Sequence, residues 1–248
     1  MTPHISTFSG IEAIAFDIGD VLVDISYEQT VSRFQALSNL DFQHVLGYSS
    51  QFEMFNQYER GELTTTDFVA QLKKYLRDDV TEEQILAAWN SMLVHFPPQK
   101  IDLLQRLKSK YRLFALSNIN ELHVNEVNRR VNLKYGVSPF SSLFEEAIYS
   151  NEVGMRKPET RIYEYLIRKA NTPPSAILFI DDKFENIEAA KNIGISTIHL
   201  TDRNNLLLIF FFENKRYKLF VRFYFATFDK INSFMKTIFL ALTFGCII

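Results

Sequence analysis

Short apolar runs that each stop on a polar residue set the frame for what this chain can fold into. Residues 12–16 (EAIAF) lead into Asp17, 112–116 (RLFAL) into Ser117-Asn118, and 176–180 (AILFI) into Asp181-Asp182. A fourth run is 195–200 (ISTIHL), and 144–149 (FEEAIY) is a weaker fifth. Such runs are too short for helices, and their continuous apolar character suits strands buried on both faces. Helical patterns lie between them. Residues 99–109 place Ile101, Leu104 and Leu107 on one face, 159–170 opens behind Pro158, and 183–193 stops at Gly194. Strands alternating with helices predict an α/β fold, a mostly parallel sheet with helices on both faces.

Between Asp24 and Pro97 the pattern changes to one of helices only. Thr64-x-x-Asp67 and Thr81-x-x-Gln84 read as capping boxes, followed by the apolar series Phe68, Leu72, Leu76 and Ile85, Ala88, Trp89, Met92. A helical block placed after the first strand reads as an inserted cap. The expected organisation is a core of 1–24 and 98–203, a helical cap of 25–97, and a tail of 204–248.

Asp17, Ser117-Asn118, Lys157 and Asp181-Asp182 all fall at or just after predicted strand ends. In an open parallel sheet those ends form the ligand crevice, so residues far apart in sequence converge there. A carboxylate, a hydroxyl, a lysine and a second acidic pair form a set suited to phosphoryl transfer. Asp17 is the candidate nucleophile. Facing carboxylates repel unless a cation lies between them, and Mg²⁺ takes oxygen ligands. Lys157 and the cation neutralise phosphoryl charge, while Ser117 and backbone N–H groups hold the phosphate.

The segments AIAFDIGDVLVD, LSN, GMRKPE and ILFIDD resemble, in order, the four motifs of the haloacid dehalogenase superfamily over residues 11–203. YERGELTTTDF and GMRKPETRIY resemble its sugar-phosphate phosphatases typified by alpha-D-glucose-1-phosphatase. The resemblance implies a Rossmann-like core with a small helical cap and a Mg²⁺-dependent phosphatase using an aspartyl-phosphate. It implies Asp17 as nucleophile and metal ligand and the Gly19 carbonyl and Asp182 as further ligands, with Asp181 beside the latter. Ser117 and Asn118 correspond to the phosphate-binding motif, and Lys157 to the catalytic lysine that also contacts substrate. The superfamily's second motif Asp is replaced by Gly19, with Asp20 one place late, which leaves the general acid unassigned. A haloacid dehalogenase, a phosphosugar mutase and a non-catalytic phosphometabolite-binding protein remain as alternatives.

Other residues carry weaker signals. Glu59, Arg60 and Glu62 face either substrate or solvent, and Asn186 either supports a metal ligand or lies on a helix surface. His44, His95 and His123 lack metal-ligand spacing, and Trp89 reads as cap core.

Composition narrows the class. The net charge of −2 argues against a nucleic-acid binder, and the single Cys246 excludes an intramolecular disulfide framework. MTPHISTFSG lacks a basic segment followed by an apolar run, so the expected location is the cytoplasm and the expected partner a small phosphorylated substrate. Residues 204–248 differ from the rest, holding ten of the 23 Phe and six Lys/Arg against two Asp/Glu. An altered reading frame, a peripheral contact with an anionic membrane surface or a partner, and an integral core element are the three readings of this tail. In none of them does the tail supply chemistry. Oligomeric state is open.

Overall fold

The computed structural model describes residues 8–42 and 53–211. His44, Cys246 and most of the tail lie outside them. The described residues divide into two units, 9–206 and a second that holds Phe8 with 207–211. In the second unit the rings of Phe8 and Phe210 lie 5.5 Å apart. Among the described residues no helix is long and apolar enough to cross a membrane.

The unit 9–206 is built on a five-stranded sheet in the order β5-β4-β1-β6-β7. Its strands are β1 (Ala13–Phe16), β4 (Arg112–Ser117), β5 (Glu146–Tyr149), β6 (Ile177–Asp181) and β7 (Ser196–His199). Every pairing is parallel. The α/β architecture expected from sequence is present. Side chains alternate across the sheet, and both faces are covered. Ala13, Ala15, Phe114, Leu116, Ile177 and Phe179 pack with Ile162, Tyr163 and Leu166 of α8 (Thr160–Ala170) and Ile187 and Ala190 of α9 (Phe184–Asn192). The alternate residues Ile14, Phe16, Leu113, Ala115, Leu178 and Ile180 are buried too. Each large apolar side chain so buried contributes about 1.5–3 kcal/mol, which is why these strands tolerate almost no polar residue until their ends.

Register carries the last residues of three strands to one edge. Phe16 is level with Ala115 of β4 and Ile180 of β6. The next residue, Asp17, donates its N–H to the Ile180 carbonyl at 2.9 Å. Asp17, Ser117 and Asp181 therefore finish side by side. Lys157 arrives from the loop before α8.

The inserted block has its own core of Phe34, Phe42, Met54, Phe55, Tyr58, Phe68, Leu72, Ile85 and Trp89. Its described helices are α1 (Tyr27–Leu37), α2 (Glu53–Glu59), α3 (Thr65–Lys73) and α4 (Glu82–Asn90). It is not helical throughout. Two short strands, β2 (Asp24–Ile25) and β3 (Leu93–His95), pair antiparallel where the block leaves and rejoins the sheet domain. They are two and three residues long, too short to register as a sequence pattern. The capping boxes also divide. Thr81 and Gln84 exchange both bonds. Thr64 accepts the Asp67 N–H, but Asp67 takes the Thr64 hydroxyl at 2.7 Å in place of the backbone N–H. The shorter Asp side chain settles on the nearer donor.

Two ion pairs and one glycine join cap to core. Glu59 meets Arg156 at 2.8 Å and Arg60 meets Glu159 at 3.3 Å. Between these cap residues and Glu62, Gly61 has φ +69°, and a Cβ there would lie 2.2 Å from the Asn151 carbonyl oxygen. Only glycine permits both the turn and the approach.

One core helix, α6 (Glu121–Tyr135), was not anticipated. It buries only His123, Val127 and Val131. That stripe is narrower than the usual apolar face of a surface helix. α5 (Pro98–Leu107) and the four-residue α7 (Ser150–Val153) complete this unit up to the short α10 (Leu206–Phe211).

Candidate active site

Asp17 is 7% exposed. Its Oδ1 accepts the Ile18 N–H at 2.7 Å and the Lys157 ammonium at 2.8 Å. Oδ2 has no hydrogen-bond partner among the described residues. One oxygen is thus anchored and the other presented. Burial, reinforced by Asp181 and Asp182 and opposed by Lys157, pushes the Asp17 carboxyl up to about 6.

Lys157 is 2% exposed and lies between two carboxylates, with Nζ 2.8 Å from Asp17 and 2.6 Å from Asp181. Burial pulls its pKa down, but the two aspartates more than offset this and hold it above the ordinary value. Its backbone is clamped by Asn118, which accepts the Lys157 N–H at 2.8 Å and donates to the Lys157 carbonyl at 2.9 Å. Both ends of the Asn118 amide are occupied by this clamp, so its side chain positions the lysine.

The acidic pair splits by function. Asp181 is fully buried and saturated by Lys157, the Lys183 N–H and the Asn186 amide, which reaches both its oxygens at 2.9 and 3.0 Å. Asn186 thus holds a member of the acidic cluster and is not on the helix surface. Asp182 has an open carboxylate, its pKa raised by burial and then by Asp181. Asp17, Asp181 and Asp182 bring one oxygen each within 4.8 Å of one another. An all-carboxylate donor set with two raised pKa values suits a hard divalent cation, which relieves the crowded charge.

A small cavity of about 60 Å³ lies at this point, lined by Asp17, Gly19, Ser117, Asn118, Lys157 and Asp182 among others. Sequence reasoning missed Tyr27, Arg156 and Lys183 in its wall. Arg156 and Lys183 adjoin motif residues, which was the available signal; Tyr27 had none. Glu59 lines the cavity, whereas Glu62 is exposed. The space beside Gly19 is filled by Ile25 of β2, since a Cβ there would lie 3.2 Å from Ile25 Cδ1. Asp20 does not replace the lost carboxylate freely. It has φ 51°, and its Oδ1 is held by Arg203 at 2.7 Å and by the Ile25 N–H at 3.3 Å.

The small cavity adjoins one of about 730 Å³ beneath the cap, with which it shares wall residues. Its wall includes Trp89, Asn120 and His123. The Trp89 and His123 rings stack at 5.1 Å, and Phe55 also stacks on Trp89 at 5.5 Å. Trp89 Nε1 and the His123 N–H both donate to Asn120 Oδ1. His123 Nε2 faces the Trp89 carbonyl at 3.2 Å and must carry a hydrogen, so Nδ1 accepts from Asn120 Nδ2 at 3.2 Å. Trp89 is therefore core and cavity wall at once.

Burial lowers the His123 pKa to about 4. The unfolded imidazole titrates near about 6.5, so the unfolded state binds more protons between these values. His123 then favours unfolding as pH falls from about 6.5 towards 4, by about 2 kcal/mol at pH 5. Because Asp17, raised to about 6, gains stability over the same fall in pH, the readout is the difference: urea unfolding at pH 7 and pH 5 is expected to give the native chain a change about 2 kcal/mol less favourable than that of His123→Gln. Equal changes in both would remove His123 as the cause.

The family model for haloacid dehalogenase-like hydrolases matches residues 11–194. A D-ribitol-5-phosphate phosphatase of Bacteroides thetaiotaomicron is 28% identical over 187 residues, covering 75% of this chain and 90% of that one. A sesquiterpene phosphatase of Aspergillus oryzae is 27% identical over 194 residues, covering 77% and 90%. Among solved structures, a HAD family enzyme of Bacteroides thetaiotaomicron, a point mutant in complex with magnesium and inorganic phosphate, superposes with a TM-score of 0.72. It is 30% identical and covers 76% of this chain and 93% of its own.

Proposed function

This chain belongs to the haloacid dehalogenase-like hydrolases, and on that premise we propose that it is a Mg²⁺-dependent phosphatase working through a phosphoryl group carried on Asp17. The observation that carries the reading is the Asp17 carboxylate, which lines the small cavity and has one oxygen fixed by Ile18 and Lys157, leaving the other to act. The open oxygen attacks phosphorus, the bond to the alcohol oxygen breaks, and the departing alkoxide takes its proton from solvent water. Water then attacks the phosphorus of the aspartyl-phosphate, inorganic phosphate leaves, and the carboxylate is restored. Lys157 holds Asp17 ionised and faces charge on the phosphoryl oxygens. Ser117, at the end of β4, and the backbone around Asn118 bind the phosphate.

The residues that would hold Mg²⁺ are Asp17, Asp182 and the Gly19 carbonyl, with Asp181 supporting from behind. Bound there, the ion supplies positive charge to the transferring group. With Gly19 in place of a carboxylate, no side chain on the nucleophile strand protonates the leaving alcohol. General acid catalysis contributes roughly 10²–10⁴-fold where present, so good leaving groups gain most from this site.

For the alcohol, the relatives' names divide between a polyol phosphate and a sesquiterpene phosphate, and glyceraldehyde 3-phosphate appears in others. The sugar- or polyol-phosphate reading rests on the first and last; glucose 1-phosphate in particular has no such support. The deciding experiment is phosphate release with Mg²⁺ and with excess EDTA. Release is expected to stop in EDTA and return with Mg²⁺, and Asp182→Ala to raise the Mg²⁺ requirement at least about tenfold, on the scale of a lost carboxylate ligand. A full rate in EDTA would reject the reading.

A further inference from the structure

We infer that the substrate is a phosphomonoester of a largely apolar alcohol, its carbon skeleton lodged in the cavity beneath the cap. The inference rests on the phosphatase reading and concerns what lies beyond the phosphate. The large cavity adjoins the small one, with Gly19, Ser117, Asn118 and Lys157 in both walls. A phosphate at Asp17 therefore points its ester oxygen towards this space. About 730 Å³ falls in the range that holds a drug-sized ligand.

The wall facing that skeleton is made by Ile25, Val31, Phe55, Trp89, Met92 and Leu93. Tyr27, Arg156 and Lys183 line the part of the wall shared with the small cavity, where the phosphate sits, and Glu185 also lines the large one. Of the other polar groups in the wall, several are already engaged. Asn120, His123 and the Trp89 indole bond one another, and His123 is held neutral. The Asn118 amide is closed on Lys157. At the neck, Glu59 and Arg156 meet at 2.8 Å. A sugar carries several hydroxyls, and most would lose water against the apolar part of this wall without gaining a partner, a costly exchange. An alkyl or isoprenoid skeleton gains instead by leaving water.

Thr30 Oγ1 and Asn56 Oδ1 of the wall are buried without a partner among the described residues. They accommodate a hydroxyl or two on an otherwise apolar body, fewer than a hexose or pentitol presents.

The test is a substrate series on the full chain with saturating Mg²⁺: n-hexyl, n-octyl and geranyl phosphate against ribitol 5-phosphate and glucose 6-phosphate, with p-nitrophenyl phosphate as reference. kcat/KM is expected to rise from hexyl to octyl by up to about fourfold per methylene. The best apolar ester should exceed both polyhydroxylated ones by at least about tenfold. Met92→Gln and Val31→Asn should each lower the octyl-to-ribitol ratio at least threefold, roughly one lost apolar contact each. That ratio is independent of how much of a preparation is folded. Cleavage of p-nitrophenyl phosphate together with equal or faster cleavage of the polyhydroxylated esters overturns the inference alone. No release from any ester, p-nitrophenyl phosphate included, overturns the phosphatase reading and the inference with it.

Discussion

Asp17→Asn is expected to lower kcat by more than about 10³-fold, the scale of losing a covalent nucleophile, while the protein stays folded. The amide keeps the shape of the carboxylate, and its oxygen can still accept from the Ile18 N–H and from Lys157, the two bonds that fix Asp17 now. What disappears is the anionic oxygen left to act. The fold has little reason to suffer. Burial already works against the Asp17 charge, as the rise to about 6 records, so a neutral side chain removes a cost as well as an ion pair. Phosphate release and a thermal melt on the same preparation check both halves. A variant keeping a tenth of the native rate would rule out covalent catalysis by Asp17.

Lys157→Ala is expected to act on rate and stability together. Its ammonium is the cation between Asp17 and Asp181, both buried. Removing one partner of a buried ionic group leaves uncompensated charge, typically about 3–5 kcal/mol of lost stability. Asp181 keeps the Asn186 amide and the Lys183 N–H, which places the loss towards the lower end. Turnover should fall about 10²–10³-fold, as when a preorganised charge or donor at a reacting oxygen is removed. Saturating Mg²⁺ should recover part of the stability, because a second cation sits among the same carboxylates, and little of the rate. Urea unfolding with and without Mg²⁺, alongside kcat, measures both. An unchanged midpoint and an unchanged rate would mean that Lys157 is a bystander.

The parts of this architecture that were legible in sequence share a physical cause. β1, β4 and β6 are buried on both faces, so their residues form unbroken apolar runs, and the first polar residue after each run marks the crevice. Asp17, Ser117 and Asp181 are therefore locatable from the amino-acid sequence alone. Lys157 was locatable only through its motif, since nothing in a loop lysine announces burial. β2 and β3 were invisible because two- and three-residue strands have no period. α6 escaped because its buried stripe is His123, Val127 and Val131, one residue per turn amid polar neighbours. The division of labour between Asp181 and Asp182 depends on which carboxylate turns inward to Lys157 and Asn186. The role of Asn118 depends on a backbone 39 residues away. The apolar character of the large cavity is also a three-dimensional fact. Asn120 and His123 are polar in sequence, but mutual hydrogen bonds with a tryptophan more than thirty residues earlier consume their polarity.

The most direct measurement of the central claim is to trap the phosphoryl group on the protein. The full chain is mixed with Mg²⁺ and a cleavable phosphomonoester, quenched in acid during turnover and reduced with borohydride, which converts an acyl phosphate to an alcohol. Peptide mass spectrometry then locates the change. The account predicts reduction at position 17, dependent on substrate and absent without Mg²⁺. Steady phosphate release with position 17 unmodified, or with the label on another residue, would contradict it.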